Sequence, residues 1–307
     1  MKRIFSTIIL TLLLLYLLVF PKQMAQDTAA GLLLWYKSVV PTLLPFCMIS
    51  YIIIQSNLYH SVFQKILKAL PGQGQRRPEV LYPLCLGLIC GFPIGAKLTG
   101  DMYALGHLSG KTATRLCAMS NHFGPAFVVN YIGLAQLHSP QAVPLLLVCI
   151  YAPPLILGSI WMAGVKEPAF RHEKPASRSQ INFKIIDAGI INGFETMLRI
   201  AGYIVIFSIL SGALDQLPLS APLFKAVGTG ILEVTTGSEA VASSCADFTR
   251  KLVLICAMVS FGGFCGIFQT KAIMKNTPFR LSEYILFKFL CSAGSALLAV
   301  LLVYLFF

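Results

Sequence analysis

The sequence predicts an all-α, polytopic membrane protein with about seven transmembrane helices and two re-entrant hairpins. Of the 307 residues, 56% are hydrophobic and only 12% are charged, whereas a soluble domain carries about 25% charged residues. The mean hydropathy of +0.76 indicates the same class. A chain of this composition cannot bury its apolar surface by folding on itself, so lipid must form part of its solvent.

The basic residues indicate how the chain is oriented in the membrane. The formal net charge is +12, which in a soluble protein would favour a nucleic-acid partner. Here most lysines and arginines lie in short loops between apolar runs, which is the pattern of the positive-inside rule. Nucleic acid is therefore excluded as a partner, and Lys2 and Arg3 predict a cytoplasmic N-terminus.

The cysteine and histidine patterns argue against an enzyme. None of the nine cysteines belongs to a C-x-x-C motif, and the five histidines have no spacing typical of metal ligands. The sequence also has no phosphate-binding Walker loop and no G-x-S-x-G motif. We therefore expect no enzymatic activity, no metal site and no cofactor.

The N-terminal part consists of two apolar runs and an amphipathic segment. The run at 4–20 is longer than the apolar core of a signal peptide, about 7–15 residues, so we favour a retained helix and leave cleavage open. A second span at 31–54 contains Pro41 and Pro45, which lack backbone donors and should kink it. Residues 58–70 then have the pattern of an interfacial amphipathic helix.

The segment at 79–110 predicts a re-entrant hairpin. Its apolar stretch at 80–90 is too short to cross a bilayer, which takes about 20 residues. The stretch reaches a Gly-Phe-Pro-Ile-Gly turn at 91–95 and then becomes polar at Lys97 and Asp101. Irregular backbone at membrane depth is tolerated only where it is buried in protein or lines a cavity. A half-helix, a Gly/Pro tip and a second half-helix satisfy this constraint.

A second short, broken region lies at 221–247, where an apolar stretch leads into the Gly- and Thr-rich run at 228–239. A basic loop at 166–184 is the most hydrophilic part of the chain. The remaining apolar runs are each long enough to cross a bilayer. They lie at 114–132, 144–163, 185–214, 252–273 and 282–307.

The two broken regions align as an internal repeat. Residues 91–95 match 233–237 with an offset of 142, and residues 118–124 match 257–263 with an offset of 139. When the loops are placed by charge, the first hairpin enters from the cytoplasmic side and the second from outside, so the repeats are inverted. The predicted organisation is an anchor at 1–28, repeats at 29–136 and 185–275, a connecting span and loop at 137–184, and a final helix at 276–307.

Inverted repeats with broken helices are typical of secondary transporters, whose binding sites lie at the breaks. A pair of Gly-rich helix-packing motifs is the alternative. Free N–H groups at the hairpin tips favour a small organic anion as substrate, and we expect Glu233 and Glu239 to carry a coupling proton. The candidate substrate-binding residues are Gly91, Pro93, Gly95, Lys97, Asn121, His122, Glu233, Thr235, Thr236, Gly237, Ser238 and Ser260.

The polar candidates also have structural interpretations. Lys97 would add a positive charge beside the first tip, or its side chain would extend to the membrane interface. The glutamates would instead cap a helix or pair with Lys97, and Asn121 and His122 would make hydrogen bonds between helices. The sequence leaves open whether the coupling ion is a proton or Na+, and whether the chain forms a homo-oligomer.

Four motifs resemble a known family: the runs at 39–46 (VVPTLLPF), 87–98 (GLICGFPIGAKL), 121–127 (NHFGPAF) and 232–237 (LEVTTG). They resemble the nucleoside-recognition (Gate) domain proteins and, among these, the sporulation integral membrane protein YlbJ (SpoVV) family. The resemblance covers about residues 30–275 and implies two Gate repeats with a fold similar to concentrative nucleoside transporters. It also implies export of dipicolinic acid from the mother cell across the outer forespore membrane. The alternatives are a nucleoside or nucleobase transporter and a non-transporting membrane scaffold.

Overall fold

The computed structural model describes residues 2–69, 78–163, 181–218 and 221–306. Within these ranges all regular structure is helical, which confirms the all-α class predicted from the sequence. Most of the predicted basic loop at 166–184 lies outside the described residues.

The N-terminal helices change direction next to a proline, as the sequence predicts. They are α1 (Lys2–Val19), α2 (Pro21–Leu34) and α3 (Val40–Gln55), with a π-helical turn at Trp35–Val39 before α3. The two limbs on either side of this turn are bent by 51°. Pro41 has no N–H for the helical ladder, and the Val40 N–H bonds to Trp35 O, one residue farther back than in an α-helix. Helix α2 begins at Pro21, earlier than the predicted start at residue 31.

The first predicted hairpin region forms two short helices joined by a tight turn, and its re-entry into the membrane stays a prediction. The helix α4 (Leu58–Ala69) precedes it, and its two half-helices are α5 (Pro78–Cys90) and α6 (Ile94–Ala104). The residues between the half-helices, 91–93, are named tip 1. Gly91 has a φ of +81°, and a Cβ there would lie 2.2 Å from the backbone N of Gly124. Glycine is the residue that allows both this turn and this close approach.

The helix after the first hairpin is interrupted in its middle, which differs from the continuous span predicted at 114–132. Gly124 precedes Pro125, and a residue before proline is disfavoured in the α conformation. Asn121 also leaves helical geometry, with φ −96° and ψ 70°. The elements are α7 (Gly110–Ser120), an irregular stretch at 121–124 named break 1, a π-helical segment (Phe127–Gln136) and α8 (Val143–Ala163).

The second half repeats this order of parts. The hairpin α10–α11 turns at Glu233, named tip 2, and the helix α12–α13 is interrupted at Gly262, named break 2. Gly262 has a φ of +84°, a left-handed conformation in which glycine readily ends a helix. The elements are α9 (Phe183–Asp215), α10 (Pro222–Leu232), α11 (Val234–Ala242), α12 (Phe248–Phe261), α13 (Gly263–Ile273) and α14 (Leu281–Phe306).

Matching glycines bring the two half-helices of each hairpin together. A Cβ at Gly87 would lie 2.8 Å from Cα of Gly95, and a Cβ at Gly237 would lie 2.0 Å from Cα of Gly230. Both distances are too short for a real Cβ, so both hairpins need glycine at this contact. The sequence alignment pairs Gly95 with Gly237, and the two residues have the same role in their hairpins. The inverted orientation of the two halves stays a prediction.

The long helices support the hairpins in two groups. Helix α9 packs against α2 and α3, and α14 packs against α12 and α8. The hairpins attach to these groups, because α6 contacts α3 and α10 contacts α9. Buried apolar side chains form two clusters, one that includes Leu98 and Leu116 and one that includes Ile150 and Ile255.

The described part of the chain contains four helices that are long and apolar enough to cross a membrane, and five if α2 and α3 form one bent span. Large apolar side chains such as Ile160, Leu198 and Leu297 are exposed on these helices, as contact with lipid requires. The chain is therefore an integral membrane protein, and the total of seven spans stays a prediction. The four helices are Pro140–Ala163, Phe183–Asp215, Phe248–Ile273 and Leu281–Leu305.

Single cysteines test whether the two hairpins enter from opposite sides. Lys111 and Arg250 lie in the first turns of α7 and α12, and both are exposed. In a variant without native cysteines, we expect Lys111→Cys to react with a membrane-impermeant maleimide only from the cytoplasmic side and Arg250→Cys only from outside. Labelling after permeabilisation is the control, and labelling of both residues from one face would contradict the inverted repeat.

Candidate functional site

Each hairpin tip lies on the break of the helix that follows it. Tip 1 lies on break 1, because the Phe92 N–H donates to His122 O over 2.6 Å. Tip 2 lies beside break 2, because a Cβ at Gly263, the residue after break 2, would be 3.2 Å from Leu232 O. The sequence predicted binding residues at both tips and at Asn121 and His122 of break 1, and the structure brings these parts and Gly262 of break 2 together. Their role in binding stays a prediction.

Two contacts then join the halves of the chain. The Tyr131 hydroxyl, in the π-helical segment, donates to Thr235 O beside tip 2 over 3.1 Å. A Cβ at Gly266, in α13, would lie 3.6 Å from the Phe92 ring of tip 1. The two tips and the two breaks therefore form one continuous region, which we name the junction.

The four carbonyls of break 1 all accept hydrogen bonds. An unpaired carbonyl at membrane depth would cost several kcal/mol. Three of the four carbonyls accept from α14, tip 1 and α8, which hold break 1 in place. The donors are Lys288 Nζ to Asn121 O, the Phe92 N–H to His122 O, the Tyr151 hydroxyl to Phe123 O, and the Phe127 and Val128 N–H groups to Gly124 O.

The buried side chain of Asn121 connects three further helices. Its Oδ1 accepts from the Ala96 N–H of α6 over 3.2 Å. Its Nδ2 donates to Thr270 Oγ1 of α13 over 2.9 Å and to the Tyr284 hydroxyl of α14 over 3.1 Å. Because the Asn121 carbonyl also accepts from Lys288 over 2.7 Å, this one residue joins α6, α7, α13 and α14.

Lys288 belongs to the junction although no sequence pattern had singled it out. It lies in α14 with 3% exposure, and its Nζ is 3.2 Å from His122 Nδ1. His122 Nε2 is 3.1 Å from Ala118 O. Since a carbonyl oxygen only accepts, Nε2 carries the proton and Nδ1 accepts from Lys288. A lysine in the middle of an apolar span is a functional signal in itself, and that signal would have found Lys288.

A small cavity lies inside the junction. Its volume is about 10 Å³, which is room for about one water molecule. Tip 1, both breaks and α14 contribute to its lining, so both halves of the chain enclose it. Residues of this lining include Phe92, His122, Gly262, Tyr284 and Lys288.

At tip 2, Glu233 is the N-cap of α11. Its carboxylate accepts from the Thr235 and Thr236 N–H groups over 3.0 and 2.8 Å and from the Thr236 hydroxyl over 2.8 Å. A carboxylate in this place compensates the free N–H groups and the positive end of the helix dipole. Glu233 therefore caps a helix in this structure, which is one of the two structural interpretations given for the glutamates.

The other polar residues near tip 2 differ in their exposure. Ser238 is fully buried, and its hydroxyl has no hydrogen-bond partner among the described residues. A buried hydroxyl without a partner is costly, so Ser238 has an unused donor in α11, five residues after tip 2. Thr236 and Glu239 are exposed, whereas Thr235 is half-buried. Within the described ranges, no group of three or more His, Cys, Asp or Glu side chains is placed to hold a metal ion.

Lys97 is buried and already paired. Its side chain is 4% exposed and forms an ion pair with Asp101, one turn farther along α6. Its Nζ also lies 5.4 Å from the centre of the Tyr51 ring. The Lys97 side chain is therefore directed into the protein, and its charge is compensated by Asp101 in this structure. Its role in substrate binding stays a prediction.

The other predicted residues of the first hairpin contribute through close packing. Gly91 and Pro93 form the ends of tip 1, and both are buried. A Cβ at Gly95 would lie 2.7 Å from Ser120 O in α7. These contacts let the backbone of tip 1 reach break 1, as the glycine-packing alternative expects. Whether these residues also bind a substrate stays a prediction.

Ser260 lies apart from the hydrogen bonds of Asn121, with which the sequence aligns it. Its hydroxyl is 2.6 Å from that of Ser295 in α14. Gly262 is the structural counterpart of Asn121, because each is the first residue after its helix ends. The alignment is therefore displaced by two residues at this point.

A row of four aromatic rings runs from tip 1 to tip 2 and is named the aromatic row. The ring centres of Phe92 and Phe123 are 5.8 Å apart, those of Phe123 and Phe127 are 4.5 Å apart, and those of Phe127 and Tyr131 are 5.0 Å apart. The last ring reaches tip 2 through its hydrogen bond to Thr235 O. All four residues are half-buried, so each keeps some exposed surface.

A curated bacterial protein is similar to this chain over nearly its whole length. The sporulation integral membrane protein YlbJ of Bacillus subtilis (strain 168) is 23% identical over 324 residues, which cover 92% of this chain and 78% of YlbJ. The chain is a homologue of YlbJ. The resemblance to the YlbJ family that the motifs indicated is thereby confirmed. No family model and no solved structure matches the chain, so the Gate domain and the nucleoside-transporter fold stay predictions.

A double-mutant cycle tests whether Lys97 and Asp101 act as a structural pair. Removal of one partner leaves a buried charge uncompensated, so we expect Lys97→Met and Asp101→Leu each to cost about 3–5 kcal/mol of stability. The double variant should regain most of this loss. The measurement is thermal unfolding of the purified protein, followed by tryptophan fluorescence.

The matched control is the exposed pair Arg280–Glu283, whose N–O distance is 2.7 Å. The corresponding changes there should cost at most about 1 kcal/mol. Additive losses in Lys97→Met/Asp101→Leu would contradict a coupled pair. The double variant, if it folds, then shows in a transport assay whether Lys97 also contributes to substrate binding.

Proposed function

We propose that this chain transports a small organic anion, and that the anion is dipicolinic acid, moved from the mother cell across the outer forespore membrane during sporulation. The junction carries the proposal: a hairpin tip and a helix break from each half meet in one place inside a membrane protein. The name of the homologue YlbJ, a sporulation integral membrane protein, supports a role in sporulation.

The interrupted helices support transport because irregular backbone is expensive in lipid. Backbone groups that leave the helical ladder must find partners within the protein. A protein that only spans the membrane can use continuous helices, whereas the junction contains four interruptions. Discontinuous helices at corresponding positions of two halves are where transporters bind their solute and coupling ion.

The chemistry of the junction fits a planar aromatic anion. The aromatic row offers ring surface to a flat ring. Helices α6 and α13 begin at the junction, and the positive ends of their dipoles favour carboxylates. Ser238 has an unused hydroxyl donor. Dipicolinate, an aromatic ring with two carboxylates, combines the two properties that these groups would recognise.

We assign coupling to Glu233 and Glu239, with the proton as the coupling ion and Na+ as the alternative. The Glu233 carboxylate occupies the first N–H groups of α11. Protonation of Glu233 would weaken these hydrogen bonds and free the N–H groups for a substrate carboxylate. The cap and the substrate would thus compete for the same donors.

Two other functions compete with this proposal. A nucleoside or nucleobase transporter is the second candidate, since the aromatic row would also stack a base. The buried ammonium of Lys288 favours an anion over a neutral nucleoside. A non-transporting sporulation scaffold is the candidate from another class, and it would tolerate the loss of polar groups at the tips.

Uptake by proteoliposomes tests the proposal. Wild-type protein should take up labelled dipicolinate and not labelled uridine. Glu233→Gln keeps the shape but loses the charge and the titratable proton, and Thr235→Val loses a hydroxyl donor at similar volume. We expect both variants to insert and accumulate normally. Their uptake rates should be at least about tenfold lower than that of the wild type, because each loses about one charge-assisted hydrogen bond.

Glu195→Gln is the matched control, because Glu195 is a glutamate on α9 with 62% side-chain exposure. Its uptake rate should equal that of the wild type. In a spore-forming host, Glu233→Gln should give spores poor in dipicolinate. Normal dipicolinate content in both tip variants would place the site elsewhere and favour the scaffold.

A further inference from the structure

Two lysines are buried in the described part of the chain, and they differ in their partners. Lys97 is paired with Asp101. Lys288 is 3% exposed and takes part in none of the ion pairs that the described residues form. Lys288 is therefore a buried cation without an anion in this conformation.

The contacts of Lys288 are all with neutral groups. Its Nζ donates to Asn121 O over 2.7 Å and to His122 Nδ1 over 3.2 Å, and it lies 5.7 Å from the centre of the Tyr284 ring. An ammonium group has three donors. Two of them are engaged by Asn121 and His122, which leaves one donor for a ligand.

A fixed cation in this position is costly unless an anion comes to it. Burial of a charge at membrane depth is unfavourable, and such residues pair with a counter-charge or mark the path of a substrate. Lys288 lines the cavity of about 10 Å³ together with Phe92 and Gly262. The start of α13 at Gly263 adds the positive end of a helix dipole to the same place.

We infer that Lys288 binds a carboxylate of the transported solute. This inference rests on the proposed function and extends it by naming the residue that recognises the anionic charge. The carboxylate lies between the ammonium of Lys288 and the first N–H groups of α13, and the apolar body of the solute lies against Phe92 and Phe123. Because the cavity holds about one water molecule, the carboxylate enters only when tip 1 moves away from α13.

Neutral substitutions at Lys288 remove its charge and leave no carboxylate uncompensated, since no carboxylate is paired with Lys288 in the described residues. Lys288→Gln keeps a donor and loses the charge, Lys288→Met loses both, and Lys288→Arg keeps the charge. Lys271→Met is the matched control, because Lys271 is exposed in the last turn of α13 and its Nζ lies 5.9 Å from the centre of the Phe279 ring, which is not part of the junction.

Equilibrium binding of labelled dipicolinate to the purified full chain is the test, with unlabelled dipicolinate and its neutral diamide as competitors. We expect wild type and Lys271→Met to prefer dipicolinate over the diamide. Lys288→Gln and Lys288→Met should bind dipicolinate at least about tenfold more weakly, with the diamide unaffected, whereas Lys288→Arg should stay close to wild type.

Unchanged affinity for dipicolinate in both neutral variants would overturn the inference. So would a loss of uptake without a loss of affinity, since Lys288 would then act on folding or motion. If the wild type binds dipicolinate through Lys288 but does not transport it, the role of Lys288 is kept and the proposed transport is overturned. If the wild type transports dipicolinate and Lys288→Gln binds it with the same affinity, transport is kept and the role of Lys288 is overturned. A wild type that binds no carboxylate would overturn both.

Discussion

The hydrogen bonds of Asn121 determine how the two halves of this protein fit together. Break 1 releases the Asn121 carbonyl from the ladder of α7, and its carbonyl and side chain then bond to α6, α13 and α14. Helices α6 and α7 belong to the first half, whereas α13 and α14 belong to the second. Each of these groups would be costly if unpaired in a membrane, so the bonds fix tip 1, the cavity and Lys288 in relation to one another.

The two halves share an order of elements but differ in chemistry. Break 1 carries Asn121 and His122, whereas break 2 consists of Gly262, which gives conformational freedom and no side-chain donor. At tip 2, the Glu233 carboxylate bonds to the N–H groups of α11. At tip 1, the buried cation Lys288 is bonded to the adjacent break 1. One side of the junction is therefore occupied by an internal anion and the other holds an unpaired cation. A solute carboxylate would compensate the charge of Lys288 and would compete with the Glu233 carboxylate for the N–H groups of α11.

The sequence predicted features that depend on local residues and missed those that depend on distant contacts. Both pairs of short helices were predictable, because an apolar run that stops at the Gly/Pro turn of 91–95 or in the Gly- and Thr-rich run of 228–239 is too short to form a span. The break at residues 121–124 was missed, since a 19-residue apolar run at 114–132 has the length of a continuous span. Lys288 was missed because one charge in the 26-residue helix α14 hardly changes its hydropathy. Lys288 joins the junction through its hydrogen bond to the carbonyl of Asn121, which is 167 residues away in sequence. Ser260 was misplaced because the alignment shifts by two residues near Gly262.

In the proposed transporter, both tips border one substrate site. The most direct measurement is the rate at which single cysteines at the tips react with a thiol reagent as dipicolinate is added, in a protein without native cysteines. Cys90, restored as the single cysteine, reports on tip 1, and Leu232→Cys reports on tip 2, because each is the residue before its tip. If the tips share one site, dipicolinate should slow both reactions with the same half-saturating concentration. Protection of one cysteine alone, or of neither, would contradict a shared site.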